Sequence, residues 1–153
     1  MDIRSLSFKH LTDKELPEIQ ALFKKAFPDL PEEDLEISWN YRSVTDSYGI
    51  WFKKTLIGFI LASYHKHSGS SLYIDYFALD ERYRGNGFGT QLLTYFLTLF
   101  LETKGSIHLF PLNDTIANWY IKYGFQQSGK GYYVIHSHKT RSSLACRQLY
   151  TNN

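Results

Sequence analysis

The chain has 153 residues, 17 Lys and Arg against 15 Asp and Glu, a net charge of +2, and 17% aromatic residues. That length suits one domain, expected over residues 1–153, burying about two thirds of its unfolded surface without staples. The single cysteine, Cys146, excludes an internal disulfide framework; the small charge offers no polyelectrolyte face for nucleic acid, and no membrane-length apolar run or cleavable leader is visible, so a soluble cytoplasmic protein is expected.

Ile3 to Phe8 alternates apolar and polar residues and reads as a first strand at a sheet edge. Thr12 and Glu15 form a capping box, Pro17 is tolerated in a first turn, and Leu16, Ile19, Leu22, Phe23 and Phe27 recur at helical spacing. A helix from about Asp13 to Phe27 follows, ended by Pro28 and Pro31. Pro31 to Trp39 reads as a second short helix, whose Glu32, Glu33 and Asp34 suit the positive end of its dipole. Tyr48–Phe52 and Leu56–Tyr64 make a hairpin around Lys53-Lys54-Thr55, with Gly58 marking a bulge or close packing. His65 and His67, like His136 and His138, have a spacing that puts two imidazoles on one strand face. A metal site needs further ligands, so loop or surface histidines are the expectation and no metal is assigned.

Leu72 to Leu79 is apolar, aromatic and β-branched, and reads as a buried central strand. Asp80–Tyr83 leads into Arg84-Gly85-Asn86-Gly87-Phe88-Gly89-Thr90, then a helix over about Gly87 to Thr103 with Leu92, Leu93, Phe96, Leu97 and Phe100 facing the sheet. Glycines at alternate positions let a ligand approach the backbone, and a helix opening there adds unpaired N–H groups and a positive dipole end, which favours phosphate. The same glycines would also serve a merely tight connection. No Lys follows Gly89, which excludes a Walker loop, and the glycine spacing departs from the dinucleotide fingerprint. Ser106–Leu112 reads as a strand whose pairing fades near Pro111; Asp114 or Thr115 caps a fourth helix ending at Tyr123, with Gly124 as its stop. Phe125–Ile135 and Ser143–Tyr150 read as two last strands joined by a polar turn.

Arg84, Gly87 and Gly89 fill the pattern Gln/Arg-x-x-Gly-x-Gly/Ala at a strand-to-helix junction, and the chain here resembles the acetyl-coenzyme A loop of the GNAT N-acetyltransferase superfamily. Asn113, Tyr120, Lys122, Gly124 and Phe125 match a second stretch of that family in register, with Ile116 where the family has a small Ala. The resemblance extends loosely over nearly the whole chain. It implies an α/β GNAT fold: a mixed, mostly antiparallel sheet of about six to seven strands, flanked by about four helices, with splayed central strands.

Acetyl-CoA is then the implied co-substrate. The resemblance gives its pyrophosphate to Arg84, Gly85, Asn86, Gly87, Phe88, Gly89 and Thr90, and its pantetheine arm to main-chain groups of Phe77, Ala78 and Leu79. Asn113 matches a residue that hydrogen-bonds the arm, and Tyr120 the general acid that protonates the leaving thiolate beside it. The segment between the first helices borders the acceptor in the family, which points to Glu33, Asp34 or Glu36 for a cationic amine. From the residues themselves, Asp75 is unusual in an apolar strand, and burial would raise its pKa; it is a candidate base or acceptor ligand, or a structural carboxylate. Tyr73 is a second catalytic candidate. Strict alternation gives both the facing of Phe77 and Leu79, unless a bulge intervenes. Cys146 is remote from both motifs. The reading is transfer of acetyl to the primary amine of a small, cationic acceptor by direct attack. A protein N-terminal or lysine acetyltransferase, a non-catalytic acyl-CoA-binding module, and homodimerisation stay open.

Overall fold

The computed structural model describes residues 6–65, 68–101 and 105–136. Along the chain come β1 (Leu6–His10), α1 (Leu16–Ala26), α2 (Glu32–Tyr41), β2 (Tyr48–Phe52), β3 (Thr55–His65), β4 (Ser68–Leu79), α3 (Phe88–Leu101), β5 (Ser106–Leu109), α4 (Asp114–Ile121), β6 (Gln126–Gly129) and β7 (Tyr132–His136). The seven strands form one sheet in the order β1-β2-β3-β4-β5-β7-β6. β4 and β5 pair parallel, whereas β1–β2, β2–β3, β5–β7 and β6–β7 pair antiparallel. Ile3, His67, Thr103, His138, Cys146 and the expected strand Ser143–Tyr150 lie outside the described residues.

Two compact units divide the chain. The first comprises Met1–Ser63 and Ile74–Leu97. Its core joins Ile19, Leu22 and Phe23 of α1, Leu35 and Trp39 of α2, Leu56, Phe59 and Leu61 of β3, and Ala78 of β4. α1 begins at Leu16, later than Asp13, because Asp13–Glu15 winds as a 3-10 turn: the Lys14 N–H donates to the Thr12 hydroxyl at 3.3 Å, and that hydroxyl donates to the Glu15 carboxylate. α2 runs two residues past Trp39, where Arg42 closes it by donating to the Trp39 carbonyl at 2.8 Å with its guanidinium 3.9 Å over the indole. In the β2–β3 hairpin, Ile50 pairs with Gly58 and Trp51 with Leu56, so Ile57 is the inserted residue of a bulge. Gly58 also packs closely, since a Cβ there would lie 2.8 Å from the Ala78 carbonyl oxygen.

The second unit comprises Tyr64–Tyr73 and Thr98–Asn153. Here β5 pairs with β4 through Ser71↔Ser106, Leu72↔Ile107 and Tyr73↔His108, and with β7 on its other side. The parallel ladder ends at Tyr73 although β4 runs on to Leu79, and β5 stops at Leu109, three residues before the expected Leu112, because Pro111 has no N–H to donate. Phe125–Ile135 is not one strand. It folds into β6 and β7 around Lys130-Gly131, with Gly131 at φ +71° supplying the left-handed residue of the turn.

The cap of α4 is Asn113, not Asp114 or Thr115: the Ile116 N–H donates to Asn113 Oδ1 at 3.0 Å. Asn113→Ala is expected to cost about 1 kcal/mol of stability and Asn113→Asp much less, read from thermal melting.

Candidate active site

In the first unit the Gly-rich segment follows the end of β4. Asp80 caps a 3-10 turn, Glu81–Tyr83, by accepting from the Arg82 N–H at 3.0 Å and from the Arg82 guanidinium at 2.8 Å; the Arg82 side chain is the main reason its carboxyl sits below the usual carboxylate range. Arg84 is exposed and its Nε donates to the Leu79 carbonyl at 3.0 Å. Gly85 and Gly87 hold φ +83° and +78°, with no heavy atom within 4 Å of where a Cβ would stand. The loop thus leaves open the space that side chains would fill, beside the N-terminal end of α3 and the positive end of its dipole. That cradle fits a pyrophosphate. Phe88 offers only its main chain, because its ring is buried against Phe52 at 5.9 Å; Asn86, Gly89 and Thr90 complete the segment.

On β4 the alternation expected for Asp75 breaks. Ser63 donates to Asp75 Oδ2 at 2.8 Å, and Ser63 follows core residue Leu61 at period two, so Asp75 reaches the side covered by α1 and α2. Its neighbour Tyr76 packs on the same side, edge-on to Phe23 at 5.0 Å and beside Phe27 at 5.4 Å. Two successive residues on one face are a local irregularity, and Leu79 turns the other way, toward Gly89. Asp75 therefore does not share the facing of Leu79. Burial raises its pKa, opposed by the Ser63 hydrogen bond. Tyr76 is raised chiefly by burial and further by Asp34 and Asp75, with Ser38 hydrogen-bonded to it and acting the opposite way. Asp34, Ser38, Tyr76 and Asp75 are thus brought together. Glu33 and Glu36 are not; both stay exposed on α2.

In the second unit Tyr120 is 5% exposed, edge-on to Trp119 at 5.0 Å and to Phe125 at 5.3 Å. Burial pushes its phenol well above the usual value, so it is protonated at neutral pH. No group among the described residues hydrogen-bonds its hydroxyl, yet that oxygen is not sealed, since Arg42 Nε is the only unpartnered side-chain N or O they bury completely. Asn113 lies two turns earlier with its carboxamide oxygen committed to the helix cap, leaving its NH₂ for other partners.

Tyr73 stacks on His108 at 4.8 Å and 19°, and His108 on Tyr132 at 5.5 Å. The hydroxyls of Tyr73 and Tyr132 are 3.5 Å apart, the Tyr132 hydroxyl hydrogen-bonds His108 Nδ1, and His108 Nε2 lies 2.6 Å from the Ser106 hydroxyl. The sequence reading missed Ser63, Tyr76, His108 and Tyr132. For His108 a signal was present: it is the second residue after Ser106 in a strand that was expected to run beside the central one. Among the described residues no group of three or more His, Cys, Asp or Glu could hold a metal ion, and no helix is long and apolar enough to cross a membrane.

A model of the acetyltransferase (GNAT) family matches residues 13–125. No curated protein matches the chain by sequence. Among solved structures, Naa50 of Arabidopsis thaliana in complex with the bisubstrate analogue CoA-Ac-MVNAL superposes with a TM-score of 0.69 at 21% identity, covering 82% of this chain and 85% of that one. The ribosomal-protein-S18-alanine N-acetyltransferase of Escherichia coli gives 0.72 at 14%, covering 86% and 94%. N-acetylglutamate synthase of Neisseria gonorrhoeae, complexed with coenzyme A and N-acetyl-glutamate, gives 0.67 at 15%, covering 87% of this chain but 35% of its own. The chain therefore belongs to the acetyltransferase (GNAT) family, with that family's mixed sheet flanked by four helices, and it is an N-acetyltransferase that takes acetyl-CoA as co-substrate.

Proposed function

We propose that residues 1–153 act as one cytoplasmic acetyltransferase domain that acetylates the primary amine of a small, cationic acceptor by direct attack. The observation that carries this reading is the grouping of Asp75 and Asp34 about the Tyr76 hydroxyl, against Phe23 and Phe27. Two carboxyl groups suit an ammonium, and the half-buried rings of Phe27 and Tyr76 suit the methylenes it stands on.

The roles follow from the chemistry. The main chain from Asn86 to Thr90, with Arg84 and Gly85, holds the pyrophosphate; main-chain groups of Phe77, Ala78 and Leu79 hold the pantetheine arm and polarise the acetyl carbonyl, as the NH₂ of Asn113 holds that arm. A preorganised N–H aimed at the developing oxyanion is worth about 3 to 4 kcal/mol. A free alkyl amine has a pKa of about 10.4, so neutralising it at pH 7 costs about 4 to 5 kcal/mol. Asp75, with Asp34, binds the acceptor as the ammonium, so the proton that must leave before attack goes to a separate base or to water. Tyr120 gives its proton to the departing thiolate.

Calorimetric titration with acetyl-CoA, followed by thiol release across polyamines, amino acids, aminoglycosides and lysine peptides, tests the reading. Release with spermidine or another diamine supports it; binding without release overturns the small-molecule acceptor. Asp75→Asn separates function from folding. A carboxyl with a raised folded pKa binds its proton more tightly folded than unfolded, so its charge destabilises the fold as pH climbs above the unfolded value of 3.8. The variant is expected to melt higher at pH 7, with a flatter pH dependence above that value, and to lose about tenfold in kcat/KM for cationic acceptors.

A second reading, acetylation of a protein amine, is favoured by Phe110 and Leu112, which follow β5 at 66% and 72% exposure. A small acceptor needs no such apolar surface. Faster release with a pentapeptide bearing a free α-amine than with spermidine would select it.

A further inference from the structure

The turn of the β2–β3 hairpin holds a residue that its backbone does not favour. Phe52 pairs with Thr55, so Lys53 and Lys54 make the turn, and Lys53 sits at φ +58°, the one positive φ outside glycine among the described residues. Glycine is at ease there, whereas a Cβ crowds the chain. A side chain kept against that strain points to a task for it. The Lys53 ammonium stands 5.4 Å over the Phe52 ring. That ring lies 5.9 Å from Tyr83 and 5.9 Å from Phe88, which are 6.3 Å from each other. Tyr83 precedes Arg84 and Phe88 follows Gly87, so the three rings join the hairpin turn to both ends of the Gly-rich loop, all within the first unit.

Arg82 adds a second cation from the loop's side. Its guanidinium stands 5.8 Å over Tyr83 and is held by Asp80, to which Nε donates at 3.2 Å and Nη2 at 2.8 Å. The side chain is nonetheless 69% exposed, and its Nη1 donors remain for a ligand. Lys53, Lys54 and Arg84 are exposed as well. The acids of this stretch are Asp80, already committed to Arg82, and Glu81. The surface beside the Gly-rich loop is therefore cationic, and two of its cations are steadied on aromatic rings.

We propose that Lys53 and Arg82 bind the 3′-phosphate of the cofactor's adenosine and so select acetyl-CoA over its dephospho form, a step that rests on the placement of the pyrophosphate given above. Acetyl-CoA carries a phosphate monoester one ribose away from its pyrophosphate. With the pyrophosphate against residues 84–90, that monoester falls at the rim of the loop, where the hairpin turn and Arg82 stand. A phosphate monoester is close to doubly charged at pH 7, which suits a pair of cations. The guanidinium, fixed by Asp80, gives direction, and the Lys53 ammonium adds a point charge. Any phosphate monoester shares this chemistry; nearness to the loop makes the cofactor the source.

The test titrates the full chain with acetyl-CoA and with acetyl-dephospho-CoA by calorimetry. Wild type should bind acetyl-CoA at least about tenfold more tightly. Lys53→Gly removes the ammonium and the backbone strain together, so it should melt no lower than wild type while losing most of that preference. Arg82→Gln should lose it too, and both variants should bind acetyl-dephospho-CoA as wild type does. Equal binding of the two cofactors by wild type, a preference that survives both substitutions, or variants that weaken for both cofactors alike would overturn the subsite and leave the acetyltransferase reading intact. Phosphorus-31 spectra give a second readout. The second ionisation of the 3′-phosphate, at about pH 6 in a free monoester, should move to lower pH in bound acetyl-CoA, because the cations favour the dianion, and return toward its free value in Lys53→Gly. An ionisation unmoved by binding would also overturn the subsite. A wild type that binds neither cofactor would sink the subsite and the pyrophosphate placement together.

Discussion

Replacing Tyr120 by phenylalanine is expected to lower kcat by about a hundredfold, while the affinity for acetyl-CoA, measured by calorimetry, changes by less than about threefold. The asymmetry comes from where the hydroxyl stands. The ring is buried between Trp119 and Phe125 and stays in place in the variant, so packing is kept. No described group hydrogen-bonds the hydroxyl, so its loss leaves no buried partner unsatisfied. What disappears is the proton donor proposed above, needed only once the carbon–sulfur bond is breaking. An interaction confined to the transition state lowers kcat and kcat/KM together and leaves ground-state binding alone.

The raised pKa sharpens this expectation. Burial favours the neutral phenol in the fold, so stability falls as pH rises past the unfolded value of 10.0. Tyr120→Phe should remove that alkaline loss, and alkaline unfolding followed by circular dichroism reads it directly. A variant that gains alkaline stability but keeps wild-type turnover would show that solvent or another acid protonates the thiolate.

How much of this could be read from residues alone varies along the chain for physical reasons. The stretch from Leu72 through Leu101 was legible because each signal is local: an apolar run, alternate glycines, then helical periodicity. The hairpin of β2 and β3 was legible for the same reason. Its turn puts Lys53 at φ +58°, a conformation that glycine would normally mark, so the flanking strands carried the signal. Phe125–Ile135 misled because its apolar residues bracket a Gly-Lys-Gly turn that was taken into one long strand. At α4, Asn113, Asp114 and Thr115 are all good caps by type, and only the backbone angles at Asn113 decide between them.

The site was less legible than the fold. Periodicity assigns a face to each strand residue, and it fails at Asp75 and Tyr76, where two neighbours reach the same side. The stack of Tyr73, His108 and Tyr132 joins three strands separated by 35 and 24 positions in sequence, and its register rests on the parallel β4–β5 ladder. No local pattern encodes that. The Gly-rich loop stands out in the sequence because the role proposed for it uses main chain, and glycine advertises main chain.

The largest structural effect is expected at Gly58, and comparison with Gly87 shows why equal substitutions should fail differently. A Cβ on Gly58 would stand 2.8 Å from the Ala78 carbonyl oxygen, 2.9 Å from Ile50 Cγ2 and 3.0 Å from Leu79 Cδ1. The first contact is with backbone and cannot swing away, so β3 and β4 must separate locally. Gly58→Ala should therefore cost about 2 to 3 kcal/mol in urea unfolding, and it should also weaken acetyl-CoA binding, because the strand displaced carries Phe77, Ala78 and Leu79. A Cβ on Gly87 meets nothing within 4 Å, so the strain is only that of an L residue at φ +78°, about 1 kcal/mol. That Cβ would instead occupy the space proposed above for the pyrophosphate. Gly87→Ala is expected to weaken acetyl-CoA binding at least tenfold, about 1.4 kcal/mol, while unfolding nearly as wild type does. Should Gly87→Ala bind acetyl-CoA with wild-type affinity, the loop would be a tight connection and the cofactor's phosphates would have to be sought elsewhere.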